Sequence, residues 1–296
     1  MKSIRSLLAS FRIDQWLKNV FVLAPLAFSK HLFNPGYAVP AVVYALLFCF
    51  VSSAIYVFND FIDRERDRLH PGKKDRPLAA GDLPVVLALF TAFVMGAGGL
   101  AASFLLSRSA GFVLVLYIVN NILYSLFLKR VAILDVMLIA AGFVLRVLGG
   151  AYVIEVEASV WLMLCTFLVS LYLGFCKRRQ ELVVLAGNET EHRISLSSYT
   201  VDFCDHMIAV VSACTVMSYA LYTVADETVL KFGTSNLVFS LPFVLYGVFR
   251  YKYHITVFSI HKNTSQIFLS DKSLIVNVFL WLLTVLALIY RAQGTL

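Results

Sequence analysis

Residues 38–67 read AVPAVVYALLFCFVSSAIYVFNDFIDRERD, an apolar run that gives way abruptly to carboxylate, amide and guanidinium groups. The apolar part is long enough to cross a bilayer as a helix, because about 20 residues rising 1.5 Å each match a hydrocarbon core of about 30 Å. If the helix continues, Asn59, Asp63 and Asp67 recur every fourth residue and drift only about 40° per step, stacking three oxygen-bearing side chains on one face with Asp60 beside them. Carboxylates this close to hydrocarbon are disfavoured unless something binds them. Mg²⁺ takes one or two carboxylates plus substrate phosphate oxygens in preference to an all-protein cage, so the ladder suits Mg²⁺ carried on a diphosphate. A solvated, charge-mixed helix end is the plainer account of the same residues.

The rest of the chain agrees with a membrane setting. Of its 296 residues 60% are hydrophobic and only 15% charged, and the mean hydropathy is +0.81, which excludes an ordinary soluble domain. Nine apolar stretches approach or reach spanning length, at 15–33, 38–58, 84–106, 110–128, 131–154, 158–176, 207–225, 237–249 and 273–290. The first and eighth are the weakest. The fold class expected is therefore all-α, a polytopic membrane bundle of about nine helices forming a single domain over residues 1–296. The basic residues Lys2, Arg5 and Arg12 lead directly into the first stretch, so no cleavable signal is expected.

A net charge of +7 raises the question of nucleic acid, but the cations sort by loop instead of forming a groove-binding surface. With the amino terminus inside, about 20 of the 25 Lys and Arg fall on inner segments, which sets the amino terminus in the cytoplasm. The acidic ladder is then cytoplasmic too. The five cysteines have no CxxC spacing and read as small buried side chains, while the six histidines form no HxxxH or HxH pair. The longest polar insertions, 64–83, 177–205 and 250–272, follow the second, sixth and eighth stretches. If spans one to four and five to eight are two copies of one unit, the first two insertions are equivalent, as in membrane proteins whose site lies between repeats.

Cations follow the carboxylates closely. Pro71-Gly72 makes a turn, and Lys73, Lys74 and Arg76 come just after it. Carboxylates for a metal and cations for phosphate oxygens are the two halves of a diphosphate clamp, although a positive-inside loop explains the cations alone. In the equivalent insertion stands Lys177-Arg178-Arg179-Gln180-Glu181, in which Lys177 and Arg178 can bind phosphate or can anchor the span at the interface. Lys129 closes the fourth stretch after Tyr124-Ser125. Asp135 lies about one turn into the fifth, where it needs a partner such as Lys129 or a substrate cation. Gln15-Trp16-Leu17-Lys18-Asn19 puts Lys18 at the cytoplasmic rim, as a phosphate ligand or a snorkelling anchor. Arg146 lies about three turns from Asp135 on the same face; it can reach towards Glu155 or Glu157 or line a cavity, and a structural role is favoured.

Asn59-Asp60-x-x-Asp63-x-x-x-Asp67 followed by Arg76-Pro77-Leu78 resembles the first aspartate-rich motif of the UbiA superfamily of intramembrane prenyltransferases, and the resemblance covers nearly the whole chain. It implies a nine-helix bundle with a cytoplasm-facing active-site cavity. Members usually carry a second aspartate-rich motif after the sixth span, where this chain has Lys177-Arg178-Arg179-Gln180-Glu181. That departure, with Gln15-Trp16-x-Lys18-Asn19 and Gln266-Ile267-x-Leu269-x-Asp271, resembles the decaprenyl-phosphate phosphoribosyltransferase branch.

The resemblance implies transfer of 5-phosphoribose from phosphoribosyl diphosphate to a polyprenyl phosphate in the bacterial cytoplasmic membrane, with Mg²⁺ as cofactor and diphosphate released. Such a site holds about three anionic groups, which more cations and fewer carboxylates accommodate. Asn59, Asp60, Asp63 and Asp67 would then hold the metal, with the three aspartates catalytic. Lys73 or Arg76 would steady the leaving diphosphate, and Lys177 and Arg178 would bind the 5-phosphate or the acceptor phosphate, with Lys18 and Lys129 in support. Glu181 would orient the basic pair or contact the ribose hydroxyls. Two other readings share these residues: a prenyl diphosphate donor with an aromatic or lipophilic acceptor, and a transporter of anionic lipid precursors. The acceptor length, pathway, number of metal ions and oligomeric state, a homo-oligomer included, are open at this stage.

Overall fold

The computed structural model describes residues 2–69, 72–185, 199–257, 267 and 270–291. Among them all regular structure is helical: α1 Lys2–Ser10, a 3₁₀ segment Ile13–Leu23, α2 Ala24–Phe28, α3 Pro35–Leu69, α4 Pro77–Ala80, α5 Val85–Leu106, α6 Arg108–Leu126, α7 Leu134–Val153, α8 Val160–Leu185, α9 Val201–Val224, α10 Asp226–Phe232, α11 Leu241–Val257 and α12 Lys272–Arg291, with short 3₁₀ turns at Leu128–Arg130 and Asn236–Ser240. Seven of these helices are long and apolar enough to span a membrane, or eight if the stretch from α10 to α11, bent by 97°, counts as one span. The polytopic all-α class stands, and the count of nine is not reached among the described residues.

The expected first span is where the count falls short. Residues 15–33 form the 3₁₀ segment and then α2, instead of one spanning α-helix. Long 3₁₀ runs are uncommon because their hydrogen bonds are poorly aligned, so this one needs outside anchors. It has them: Trp16 Nε1 donates to Ser53 Oγ at 2.9 Å, and Asn19 Nδ2 donates to Ser52 Oγ at 3.0 Å, both on α3. Gly150 completes the seat, since a Cβ there would lie 1.9 Å from the Val22 carbonyl oxygen. The eighth stretch, 237–249, lies in the 3₁₀ turn and α11, and the bend ahead of it has a local reason: α10 ends at Gly233, whose φ of +71° suits glycine.

By contacts the chain, read from sequence as a single domain over 1–296, divides into two compact units. The first comprises residues 1–26, 31–128 and 145–158, the second 27–30, 129–144 and 159–296. The break at 128/129 falls close to the expected junction between the fourth and fifth stretches. In the first unit α3 packs along α5 and against the 3₁₀ segment and α6. Tyr44, Phe48, Val51 and Ile55, spaced as one helical stripe, bury against Val22, Leu114 and Tyr117. Val39, Val42, Leu46 and Phe50 of the same helix stay exposed, as a lipid-facing side requires. In the second unit α8 packs on α9 and α11 on α12, around Tyr172, Phe175, Ile208, Tyr251 and Ile255. Helix α3, with 35 residues, is about 52 Å long, well beyond a hydrocarbon core of about 30 Å, so its polar end overhangs the apolar part.

Candidate active site

In the first unit the overhang of α3 carries the acidic motif. Asp60 and Asp67, two turns apart and so within about 20° of each other around the helix, are both 4% exposed, while Asn59 and Asp63 are half-buried. Arg76 bridges the buried pair: its Nη1 lies 3.1 Å from Asp60 Oδ1 and 2.6 Å from Asp67 Oδ2. The sequence Arg76-Pro77-Leu78 explains how. Arg76 is extended, as a residue before proline must be, Pro77 opens α4, and Leu78 and Ala79 bury. Arg68 Nε then donates to the Ala79 carbonyl at 3.0 Å, tying α4 back to α3.

A second guanidinium reaches Asp60. Arg12, at the left-handed turn before the 3₁₀ segment, pairs with Asp60 Oδ1 and lies 5.4 Å over the Tyr56 ring. Asn59 Oδ1 accepts from Ser125 Oγ of α6 at 2.5 Å, which fixes one amide of the ladder. Lys18, on the 3₁₀ segment, and Lys73, in the turn before α4, are half-buried. Among the described residues no three His, Cys, Asp or Glu side chains form a metal cage. The donor set is hard oxygen, from carboxylates already gathered beside cations. It fits Mg²⁺ that arrives with phosphate oxygens, and it does not fit a stand-alone protein site.

Farther along this unit, Arg146 is 4% exposed. Its Nε donates to Asn19 Oδ1 and its Nη2 to Tyr117 Oη, both at 2.8 Å, and the guanidinium stacks 4.8 Å over the Tyr117 ring and 5.4 Å over Phe48. Asn19 therefore joins the 3₁₀ segment, α3 and Arg146, a part that Gln15-Trp16-x-Lys18-Asn19 did not disclose.

The second unit holds a separate ionic network. Arg178, 2% exposed, donates from Nε to Asp135 Oδ2 at 2.8 Å and from Nη1 to Glu181 Oε2 at 2.5 Å. Asp135, fully buried, therefore has Arg178 as its ionic partner, and its Oδ1 accepts from Tyr199 Oη at 2.7 Å. Lys177, 45% exposed in its side chain, stands 3.9 Å from Glu181. Arg179 turns to Asp205 at 2.7 Å, and Lys129 is half-buried in the turn before α7. Of the late motif, Gln266 and Leu269 lie outside the described residues. Ile267 is buried, and Asp271 bonds Arg250 at 2.8 Å while its Oδ1 caps α12 through the Ser273 N–H at 2.9 Å.

Sequence reasoning did not find Arg12 or Tyr199 as functional groups. A basic residue ahead of the first apolar stretch was a weak signal for Arg12, and nothing local pointed to Tyr199.

An all-helical membrane bundle with an aspartate-bearing helix end beside two arginines defines a class, and the chain belongs to it: the UbiA prenyltransferase family, whose profile matches residues 20–283. The decaprenyl-phosphate phosphoribosyltransferase of Corynebacterium glutamicum is 35% identical over 220 residues, covering 73% of this chain and 66% of the relative. That of Mycolicibacterium smegmatis is 30% identical over 298 residues, covering 97% of this chain and 93% of its own. In fold, the chain is similar to a UbiA homolog from Archaeoglobus fulgidus solved with GPP and Mg²⁺, at a TM-score of 0.71 and 17% identity, over 96% of this chain and 99% of that one.

Proposed function

We propose that this protein transfers 5-phosphoribose from phosphoribosyl diphosphate to a polyprenyl phosphate of decaprenyl type. The observation that carries the reading is the Asp60–Asp67 pair bridged by Arg76 and flanked by Arg12, a cation-rich carboxylate site in a chain whose relatives of matching length bear that name. Asn59, Asp60, Asp63 and Asp67 would hold Mg²⁺, which when bound supplies positive charge to the donor's diphosphate. Arg12, Arg76, Lys73 and Lys18 bind and orient the phosphate oxygens, and Lys129 and Lys177 provide charge for the acceptor's phosphate.

In the reaction an oxygen of the lipid phosphate forms a bond to ribose C1 while the bond from C1 to the diphosphate oxygen breaks, its electron pair leaving with the diphosphate. The attacking oxygen is already anionic, so no general base is needed, in keeping with the carboxylate and cation composition of the site. The positive-inside charge bias supports an amino terminus, and with it this chemistry, on the cytoplasmic side of the bacterial cytoplasmic membrane.

The test uses purified protein in detergent with Mg²⁺. One assay offers labelled phosphoribosyl diphosphate with decaprenyl phosphate, and the other labelled polyprenyl diphosphate with 4-hydroxybenzoate. Label should enter lipid from the first pair and fall roughly 100-fold or more in Asp63→Asn, as when one member of an electrostatic site is lost. Product from the second pair alone would overturn the reading in favour of aromatic prenylation.

A further inference from the structure

The ladder on α3 holds three carboxylates and one amide, and the amide is its only member with two unlike ends. A carboxylate can present either oxygen to a cation, whereas Asn59 can use Oδ1 and not Nδ2. Something must decide which end of the amide is offered. The neighbour that touches it belongs to the same compact unit: Ser125, 3% exposed and next to the last residue of α6. Its Oγ lies 2.5 Å from Asn59 Oδ1 and 2.7 Å from the carbonyl oxygen of Asn121, one turn back on α6.

A serine hydroxyl carries one hydrogen, and here it meets two acceptors. It cannot serve both at full strength. With the hydrogen on Asn59, Ser125 occupies a lone pair of the atom that would ligate a cation. The carbonyl one turn back is the usual partner of a helical serine, and the Asn121 side chain does not compete for the hydroxyl, since its Nδ2 donates to the Tyr117 carbonyl at 2.8 Å. Once the hydrogen is on the Asn121 carbonyl, Ser125 Oγ shows Asn59 only lone pairs, which call for an N–H. Turning the amide over supplies one. The two ends of an amide are nearly equal in size, so the turn needs little room, and it replaces one shared hydrogen with two bonds, from Asn59 Nδ2 to Ser125 Oγ and from Ser125 Oγ to the Asn121 carbonyl. Oδ1 then no longer faces Ser125.

We infer that Ser125 is a positioning residue for the metal: when Mg²⁺ enters, the bond between Ser125 and Asn59 reverses direction, Ser125 grips the amide by Nδ2, and Oδ1 is the end offered to the ion. The inference rests on the reading that Asn59 belongs to the Mg²⁺-holding set. Partners of this kind, one step removed from the ion, fix a ligand's orientation and so its affinity. The plainer alternative is that Ser125 donates to Oδ1 throughout and only ties α6 to α3. An aspartate separates the two accounts, because its oxygens are equivalent and it needs no grip to present one of them.

The test compares wild type, Ser125→Ala, Asn59→Asp, the double variant and Asn59→Ala. Alanine at 125 adds no bulk and favours helix, so the fold is retained. Mn²⁺ stands in for Mg²⁺, since both take octahedral oxygen donors. Its binding to purified protein in detergent with inorganic diphosphate is followed by the loss of the free-ion electron paramagnetic resonance signal, against a protein-free control, so the readout does not depend on turnover. Ser125→Ala should raise the apparent Mn²⁺ Kd about tenfold in the Asn59 protein, the loss typical of a missing outer partner. In the Asn59→Asp background the same change should stay within about twofold, because the coupling runs through the amide alone. An equal loss in both backgrounds, or no loss with Asn59 in place, overturns the inference while Asn59 stands as a ligand. Wild-type Mn²⁺ affinity in Asn59→Ala removes Asn59 from the metal set and overturns the reading beneath it.

Discussion

Asp60 and Asp135 are both buried carboxylates facing guanidinium groups, but their partners differ. The side chains of Arg12 and Arg76, at Asp60, are 26% and 29% exposed, whereas Arg178, at Asp135, is 2% exposed. Part-exposed guanidinium groups can exchange a carboxylate for a phosphate at lower cost, because water screens the intermediate arrangement. A dry pair cannot. The first unit therefore carries a cluster suited to turnover, and the second a fixed one suited to holding geometry.

The sharpest way to break this contrast is to delete one arginine from each. Arg178→Ala leaves Asp135 buried without its ionic partner and should cost about 3–5 kcal/mol of stability. Arg76→Ala should cost less, about 1–3 kcal/mol, since the guanidinium is part-exposed and Arg12 still faces Asp60 although buried Asp67 loses its bond to Arg76, while raising KM for the donor. Thermal unfolding in detergent measures both, and equal losses would end the distinction.

Gly150→Ala probes the seat of the segment bearing Lys18 and Asn19 and running on from Arg12. A Cβ 1.9 Å from the Val22 carbonyl should cost about 1–3 kcal/mol by overpacking and lower activity with it. Gly98→Ala, whose added Cβ meets nothing within 4 Å, should instead be neutral or stabilising by up to about 1 kcal/mol, as helix propensity dictates.

The smallest effect concerns Asp271. Burial pushes its pKa up, but the bond from Arg250 and the backbone N–H groups of Leu274 and Ser273 outweigh this and leave it below the ordinary carboxylate value. Its stabilisation is present above an unfolded pKa of about 4 and is lost as pH falls through the lowered folded value. Melting temperatures recorded between roughly pH 5 and pH 2 should therefore fall less steeply in Asp271→Asn than in the wild type.

The sequence made some of this legible and hid the rest for a physical reason. Helix α3 and its acidic end could be read because periodicity and a charge boundary are both local, whereas the turn expected at Pro71-Gly72 falls partly outside the described residues. The 3₁₀ conformation of the first apolar stretch could not, because its anchors Ser52 and Ser53 lie on another helix. The same holds for pairings in the two clusters, where Arg12 and Asp60 are 48 residues apart and Tyr199 and Asp135 are 64 apart, and for Arg146 and Asn19, which are 127 apart. A buried arginine announces that it needs partners. Nothing in its neighbourhood names them.

The overhang of α3 also has a kinetic consequence. Carboxylates standing above the hydrocarbon meet one reactant from the water and the other from the plane of the bilayer, so the two are counted in different units, one per litre and the other per area of lipid. Adding inert phospholipid thins out the acceptor without changing the donor concentration, and under the proposed reaction the turnover rate therefore follows the composition of the membrane as well as the contents of the cytoplasm.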